Sequence, residues 1–211
     1  MKILCISGSP IEGGNTFLFI QKAIEPIKAE ADIEIIELAD KDVSDCVHCD
    51  WCLANKDPDR ICRLKDDGQA ILKKIKEADI LVLASPTYFG RMTGRLASLM
   101  DRMRPLVVSK THHGCMTDKP GVALALSWYR NGGVETTLLS IIYSFLVLEM
   151  IPVSSHNSGS FFGGAGLTNL NILPVEQDDK RAIESDEIGI ASAQGAVKRA
   201  VYLFNRLNPA S

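Results

Sequence analysis

The sequence predicts an α/β fold in three layers, a parallel sheet of five strands with helices on both faces. Two observations carry this. Short β-branched and aliphatic runs alternate with longer segments of helical period. Several of those runs, ILVLA among them, are apolar throughout, as suits strands covered on both sides. A third observation bounds the size: 211 residues, 46% apolar and 23% charged, can bury a sizeable core, and residues 1–211 are read as a single domain.

In chain order, KILCIS (2–7) is the first strand, and Phe17, Ile20, Ile24 and Ile27 keep one face of the helix after it. IEIIEL (33–38) is the second strand. Ile71, Leu72, Ile75 and Ala78 mark the second helix, opened by Asp66 and Asp67, whose charges suit a helix N-terminus. ILVLAS (80–85) is the third strand, and Leu96, Leu99 and Met103 mark the third helix. GVALAL (121–126) is the fourth. Residues 134–148 form a helix apolar almost all round, read as buried, because its charge-free stretch 136–148 falls short of the roughly 20 residues that cross a bilayer. MIPVSS (150–155) is the fifth strand, and Ile190, Ala193, Val197, Val201 and Phe204 give the last helix its stripe. Strict alternation of this kind is the inventory of a flavodoxin-like sheet, order 2-1-3-4-5, whose ligand lies outside the carboxyl ends of the strands. Two insertions break the rhythm: a cysteine-rich segment at about 44–64 and a Gly- and Asn-rich stretch, 156–179, read as a long loop, functional or disordered.

A formal net charge of −3 with dispersed basic residues leaves no footprint for nucleic acid or an anionic membrane. The first apolar run, in MKILCISGSP, is four residues long, too short for a signal-peptide core, so the expected location is the reducing cytoplasm.

Three loops that follow strands carry the candidate chemistry. SGSPIEGGNT (7–16) gathers Ser7, Ser9, Asn15 and Thr16 where a helix N-terminus presents unpaired amides. Its glycines fit neither G-x-G-x-x-G nor G-x-x-x-x-G-K-[ST], which argues against a dinucleotide fold motif or a triphosphatase. Two readings remain: a cradle for one phosphate monoester, or an ordinary turn with Asn15 or Thr16 as N-cap. SPTYFGRMTG (85–94) and ALSWYRNGGVE (125–135) place aromatics beside glycine at the same sheet end, as a planar ring requires.

The run CVHCDWCLANKDPDRIC (46–62) supplies Cys46, Cys49, Cys52 and Cys62. On one α-helix the first three would fan about the axis; in a loop they can wrap a common centre. C-x2-C-x2-C opens the bacterial ferredoxin ligand run. Zinc held by four thiolates, or by three with His48, is the rival, and free thiols the third reading. Disulfides do not suit a reducing compartment. HHGC (112–115) is read as a polar loop rather than a metal site.

With these residues in view, the chain resembles the NADPH-dependent FMN reductase group of flavodoxin-like proteins and, within it, the iron-sulfur flavoproteins. GSPIEGGNT, CVHCDWC with Cys62, the pair Asp66–Asp67, ADILVLASPTYFGRMTG and MDR ending at Arg102 carry the resemblance. It implies FMN, with phosphate on Ser9, Gly14, Asn15 and Thr16 and the ring near Pro86, Thr87, Tyr88, Phe89 and Gly90. Trp128, Tyr129 and Gly132 match its third flavin loop. It further implies a [4Fe-4S] cluster on the four cysteines, although the nine residues between Cys52 and Cys62 exceed the compact spacing. The activity implied is FMN-dependent electron transfer from NAD(P)H or ferredoxin to a small acceptor, in a homodimer or homotetramer. An electron carrier without nicotinamide activity and a cofactor-free scaffold are the alternatives.

Overall fold

The computed structural model describes residues 1–155, 159–168 and 181–209. Its sheet is parallel and flavodoxin-like: β1 (Lys2–Ser7) lies between β2 (Asp32–Glu37) and β3 (Ile80–Pro86), and β4 (Pro120–Ser127) follows β3. Alternate residues of each strand enter separate cores. Leu81 and Leu83 pack with α3 (Gly68–Glu77), α4 (Gly94–Arg102) and α6 (Val134–Val147). Ile80, Val82 and Ala84 pack instead with α1 (Asn15–Ile24) and α7 (Glu187–Leu207). This is the three-layer order expected from the apolar runs.

Four expectations are corrected. The fifth strand is shorter than MIPVSS and the position beside β4 is filled by two pieces: β5 (Ile151–Pro152) at Pro120 and Gly121, then β6 (Gly164–Leu167) along Leu124 to Ser127. Part of the stretch read as a loop is therefore sheet, while 156–158 and 169–179 lie outside the described residues. GAGL hides its strand character because small size is what the site demands. A Cβ on Gly164 would stand 2.7 Å from Ala193 Cα, and one on Gly166 would meet Ile183 at 2.7 Å, so α7 and the turn before it lie directly on this strand.

Second, the inner face of α1 is set by Phe19, Ile20, Ala23 and Ile24, with Phe17 only partly covered. Third, α6 is buried on Leu138, Ile141 and Phe145 but leaves Tyr143, Leu146 and Val147 more than half exposed. The third helix also breaks at Met103, before Pro105, into α4 and a short α5 (Arg104–Val108). Among the described residues no helix is long and apolar enough to cross a membrane.

Cys5, in β1, is fully buried, and burial pushes its thiol up to about 12. Folded, metal-free protein treated with iodoacetamide at pH 8 is expected to leave Cys5 unmodified while exposed Cys49 reacts, read by peptide mass spectrometry. Labelling of Cys5 in folded protein would contradict the packing of this strand.

Candidate functional site: three strand ends and a thiol cavity

The loops after β1, β3 and β4 are stitched to one another. Gly8 N donates to Ala84 O (2.8 Å), and Thr93 Oγ1, itself buried, donates to Gly8 O (2.6 Å). Glycine is needed at position 8, since a Cβ there would stand 2.6 Å from Leu96 Cβ. Thr93 N donates in turn to Ser85 Oγ (3.0 Å). Ser85 and Thr93, which fix the loop between them, are positions the sequence analysis did not single out. Isolated hydroxyl residues carry no periodic signal.

The first loop leaves α1 without a side-chain cap. Ser7, Ser9 and Thr16 are buried, and Ser9 Oγ accepts from Ile11 N (3.0 Å). Gly14 occupies the N-cap and provides no side-chain bond. By contrast, α4 is capped by Thr93 and α7 by Asp186. The reading of Asn15 or Thr16 as N-cap is therefore corrected: Asn15 is the first helical residue, and its Oδ1 accepts from Ile183 N (2.9 Å). Glu37 Oε2 takes the Gly13 amide (2.9 Å), so the cradle consists of the amides beyond it.

In the second loop, Tyr88 and Arg91 exchange backbone bonds across Phe89 and Gly90, whose φ values are 50° and 73°. Two consecutive positive φ angles define the tight turn of a hairpin, ordinary for glycine and strained for phenylalanine. Phe89, at the tip of this turn, is fully exposed. The third loop touches the second: Thr87 N donates to Leu126 O (2.6 Å), Thr87 Oγ1 bonds Thr137 Oγ1 (3.0 Å), and Thr136 Oγ1 donates to Gly90 O. A Cβ on Gly133 would stand 2.7 Å from Gly90 Cα. Trp128 and Tyr129, about half exposed, lie with ring centroids 5.3 Å apart, and Gly132 N closes the turn onto Tyr129 O (3.0 Å). Pro86 pairs with Leu126 at the end of the sheet. All three predicted loops thus meet at one sheet end.

The cysteine segment forms a second centre. Cys46 and Cys49 lie in irregular chain and Cys52 in a single helical turn, α2 (Trp51–Ala54). His48 and Asp50, with φ of 49° and 55°, turn the chain so that Cys46, Cys49, Cys52 and Cys62 all line one small cavity with Arg102 and Arg104. His48 is outside that lining, with Nε2 3.7 Å from Asp50 Oδ1. The sulfurs share a cavity without standing at coordination distances, and no group of three ligating side chains poised for a metal occurs among the described residues. Burial pushes the Cys52 thiol up, opposed by Arg104, whose Nη1 lies 3.7 Å from Cys52 Sγ.

Asp66 and Asp67 do not serve mainly as helix-end charges, as the sequence suggested. Asp67 Oδ2 accepts from Asp42 N (2.8 Å). Asp66 accepts from Ser44 N (3.1 Å) and Gly68 N (3.1 Å) and takes both ends of the Arg102 fork, at 2.6 and 3.0 Å. Arg102 Nη1 also donates to Ser44 O (3.0 Å). One ion pair therefore ties the segment where it leaves the sheet and where it returns. HHGC holds no metal group among the described residues; His112 is buried, with Nδ1 3.3 Å from Lys76 Nζ.

Solved structures share this fold. An NADH:FMN oxidoreductase superimposes at TM-score 0.63 with 16% identity over 100% of this chain and 90% of that one. The Trp repressor binding protein from Bacillus subtilis gives 0.60 with 20% identity over 93% and 97%. Sheet and strand-end loops together define a flavodoxin-like protein. The chain belongs to the NADPH-dependent FMN reductase family, whose model matches residues 1–162. It is similar to an iron-sulfur flavoprotein of Methanocaldococcus jannaschii, 38% identical over 200 residues, 94% of this chain and 95% of that protein. Another, from Archaeoglobus fulgidus, is 35% identical over 207 residues, 95% and 94%.

Proposed function

We propose that the chain folds as one FMN-binding domain that moves electrons from NAD(P)H or ferredoxin through flavin, with a [4Fe-4S] cluster on its four cysteines, to a small acceptor. The observation that carries the flavin site is the uncapped start of α1, bonded through Gly8, Thr93 and Thr87 to two loops bearing aromatics. Ser9, Gly14, Asn15 and Thr16 receive the phosphate, Asn15 through its backbone amide because Ile183 occupies its Oδ1, with Ser7 beneath them. Pro86, Thr87, Tyr88, Phe89 and Gly90 border the ring, and Trp128, Tyr129 and Gly132 close its other side.

Bound there, flavin supplies acceptance and release of a hydride or of single electrons, so the protein's task is binding and orientation. No side chain is assigned as an acid or base. Membership of an FMN reductase family and kinship with iron-sulfur flavoproteins support this reading. For the cluster, the donor set fits: thiolates are the ligands it requires, and the guanidinium groups of Arg63, Arg102 and Arg104 line the same cavity. The protein works in the reducing cytoplasm, where such ligands persist, as a homodimer or homotetramer that covers the exposed face of α6.

Anaerobic purification tests both centres together. Near-stoichiometric FMN and equal iron and acid-labile sulfide are the expected result, followed by bleaching of the flavin on mixing with NADPH. Reduction by ferredoxin alone would assign the carrier role, and colourless protein that takes up no added FMN would remove the proposal.

A further inference from the structure

Of the three arginines that line the thiol cavity, Arg63 is exposed, while Arg102 and Arg104 have more hydrogen-bonding capacity than the described residues use. Arg102 is 1% exposed, and its Nε is one of two buried polar side-chain atoms without a hydrogen-bond partner among the described residues. Its Nη atoms place three of their four N–H groups on Asp66 and Ser44. A buried guanidinium N–H is costly to leave without an acceptor, and the Cys62 sulfur is the neighbour placed to take it. Arg102 lines the cavity alongside Cys62. On the other side Arg104 is held by Asp50 Oδ1 at 2.7 Å and reaches Cys52 Sγ at 3.7 Å, the long distance expected of a donor to sulfur. Each group is fixed by a carboxylate, Arg102 by Asp66 outside the lining and Arg104 by Asp50 within it, so their remaining donors are held in place before anything binds.

An iron-sulfur core with four thiolates carries net negative charge in every working oxidation state. Enclosing it requires compensating charge and N–H donors to sulfur, and those donors set its potential. We infer that Arg102 and Arg104 are positioning residues of the four-cysteine centre, donating to sulfur at Cys62 and Cys52 and raising the potential of the cluster held there. The inference rests on the cluster reading above. Its physical basis is that reduction adds negative charge, which nearby cations and N–H donors favour.

Arg104 provides the cleaner test, because its side chain is partly exposed and fastened by one bridge at the rim. Anaerobically prepared wild-type, Arg104→Gln and Arg104→Lys proteins are compared for iron and sulfide content and for midpoint potential by EPR-monitored titration. The expected result is similar iron and sulfide in all three. Arg104→Gln shows a reduction equilibrium at least about tenfold less favourable, some 59 mV lower for one electron, and Arg104→Lys lies between. Equal potentials in the three loaded proteins would overturn the inference and leave the cluster reading intact. Wild-type protein that takes up neither iron nor sulfide would overturn both. If Arg104→Gln alone fails to load, the comparison of Arg104→Lys with wild type decides, an unchanged potential again counting against it.

Discussion

Asp66→Ala lowers the unfolding free energy by about 3–5 kcal/mol, because it leaves the Arg102 charge buried without its partner. Arg102 and Asp66 are 1% and 6% exposed, and the fork is bidentate, so solvent does little to screen the pair. For a chain of this length the loss corresponds to a fall in Tm of about 10 °C by thermal denaturation. The double variant Asp66→Leu/Arg102→Met is expected to recover part of this. It removes the stranded charge, while Ser44 and Gly68 still lose their acceptor. A single variant as stable as wild type would mean that the cysteine segment is held by something else.

The same pair gives the protein an acid-sensitive contact. Burial alone would raise the Asp66 carboxyl, but the Arg102 bonds and the Ser44 and Gly68 amides outweigh it and hold it below the ordinary range. A folded value below the unfolded one means that the folded state binds fewer protons. The contribution is therefore complete above the unfolded value of about 3.9 and disappears as pH falls through the lower folded value. The stability difference between wild type and Asp66→Ala should shrink over that acid range and nowhere else.

Gly14→Asp is expected to weaken FMN binding by at least about 100-fold, while leaving thermal stability equal or higher. Gly14 has φ −82° and ψ −170°, extended backbone that aspartate adopts freely. An added Cβ needs Ile11 to yield by a few tenths of an ångström from 3.1 Å. The new carboxylate would cap α1, a change worth a few tenths of a kcal/mol relative to glycine at the N-cap. It would also consume the amides proposed for phosphate. Losing charged hydrogen bonds worth about 1.5–3 kcal/mol each accounts for the affinity change. Opposite movement of stability and affinity separates a ligand site from a structural turn, for which both would fall together. Unchanged FMN affinity in this variant would place the phosphate elsewhere.

What could be read from the sequence follows from where each signal resides. Strands such as ILVLAS and GVALAL declare themselves through local composition, and the loops after them inherit their position from the strands. Gly164–Leu167 could not be read that way: its glycines answer to Ala193 and Ile183, partners distant along the chain. The Asp66–Arg102 tether, 36 residues apart in sequence, is invisible to any helical or strand period for the same reason. Likewise Asn15 looked like a cap, yet the turn at Ile183 claims its side chain. The four cysteines were legible as a group, but their shared cavity depends on left-handed backbone at His48 and Asp50 that spacing does not encode.

Calorimetric titration of flavin-free protein with FMN and with riboflavin bears most directly on the assignment, since the two ligands share a ring and differ in the phosphate. Saturation at one FMN per chain, with riboflavin bound at least about 100-fold more weakly, is the expected outcome for a cradle of unpaired helix amides. Riboflavin bound as tightly as FMN, or neither bound, would contradict it.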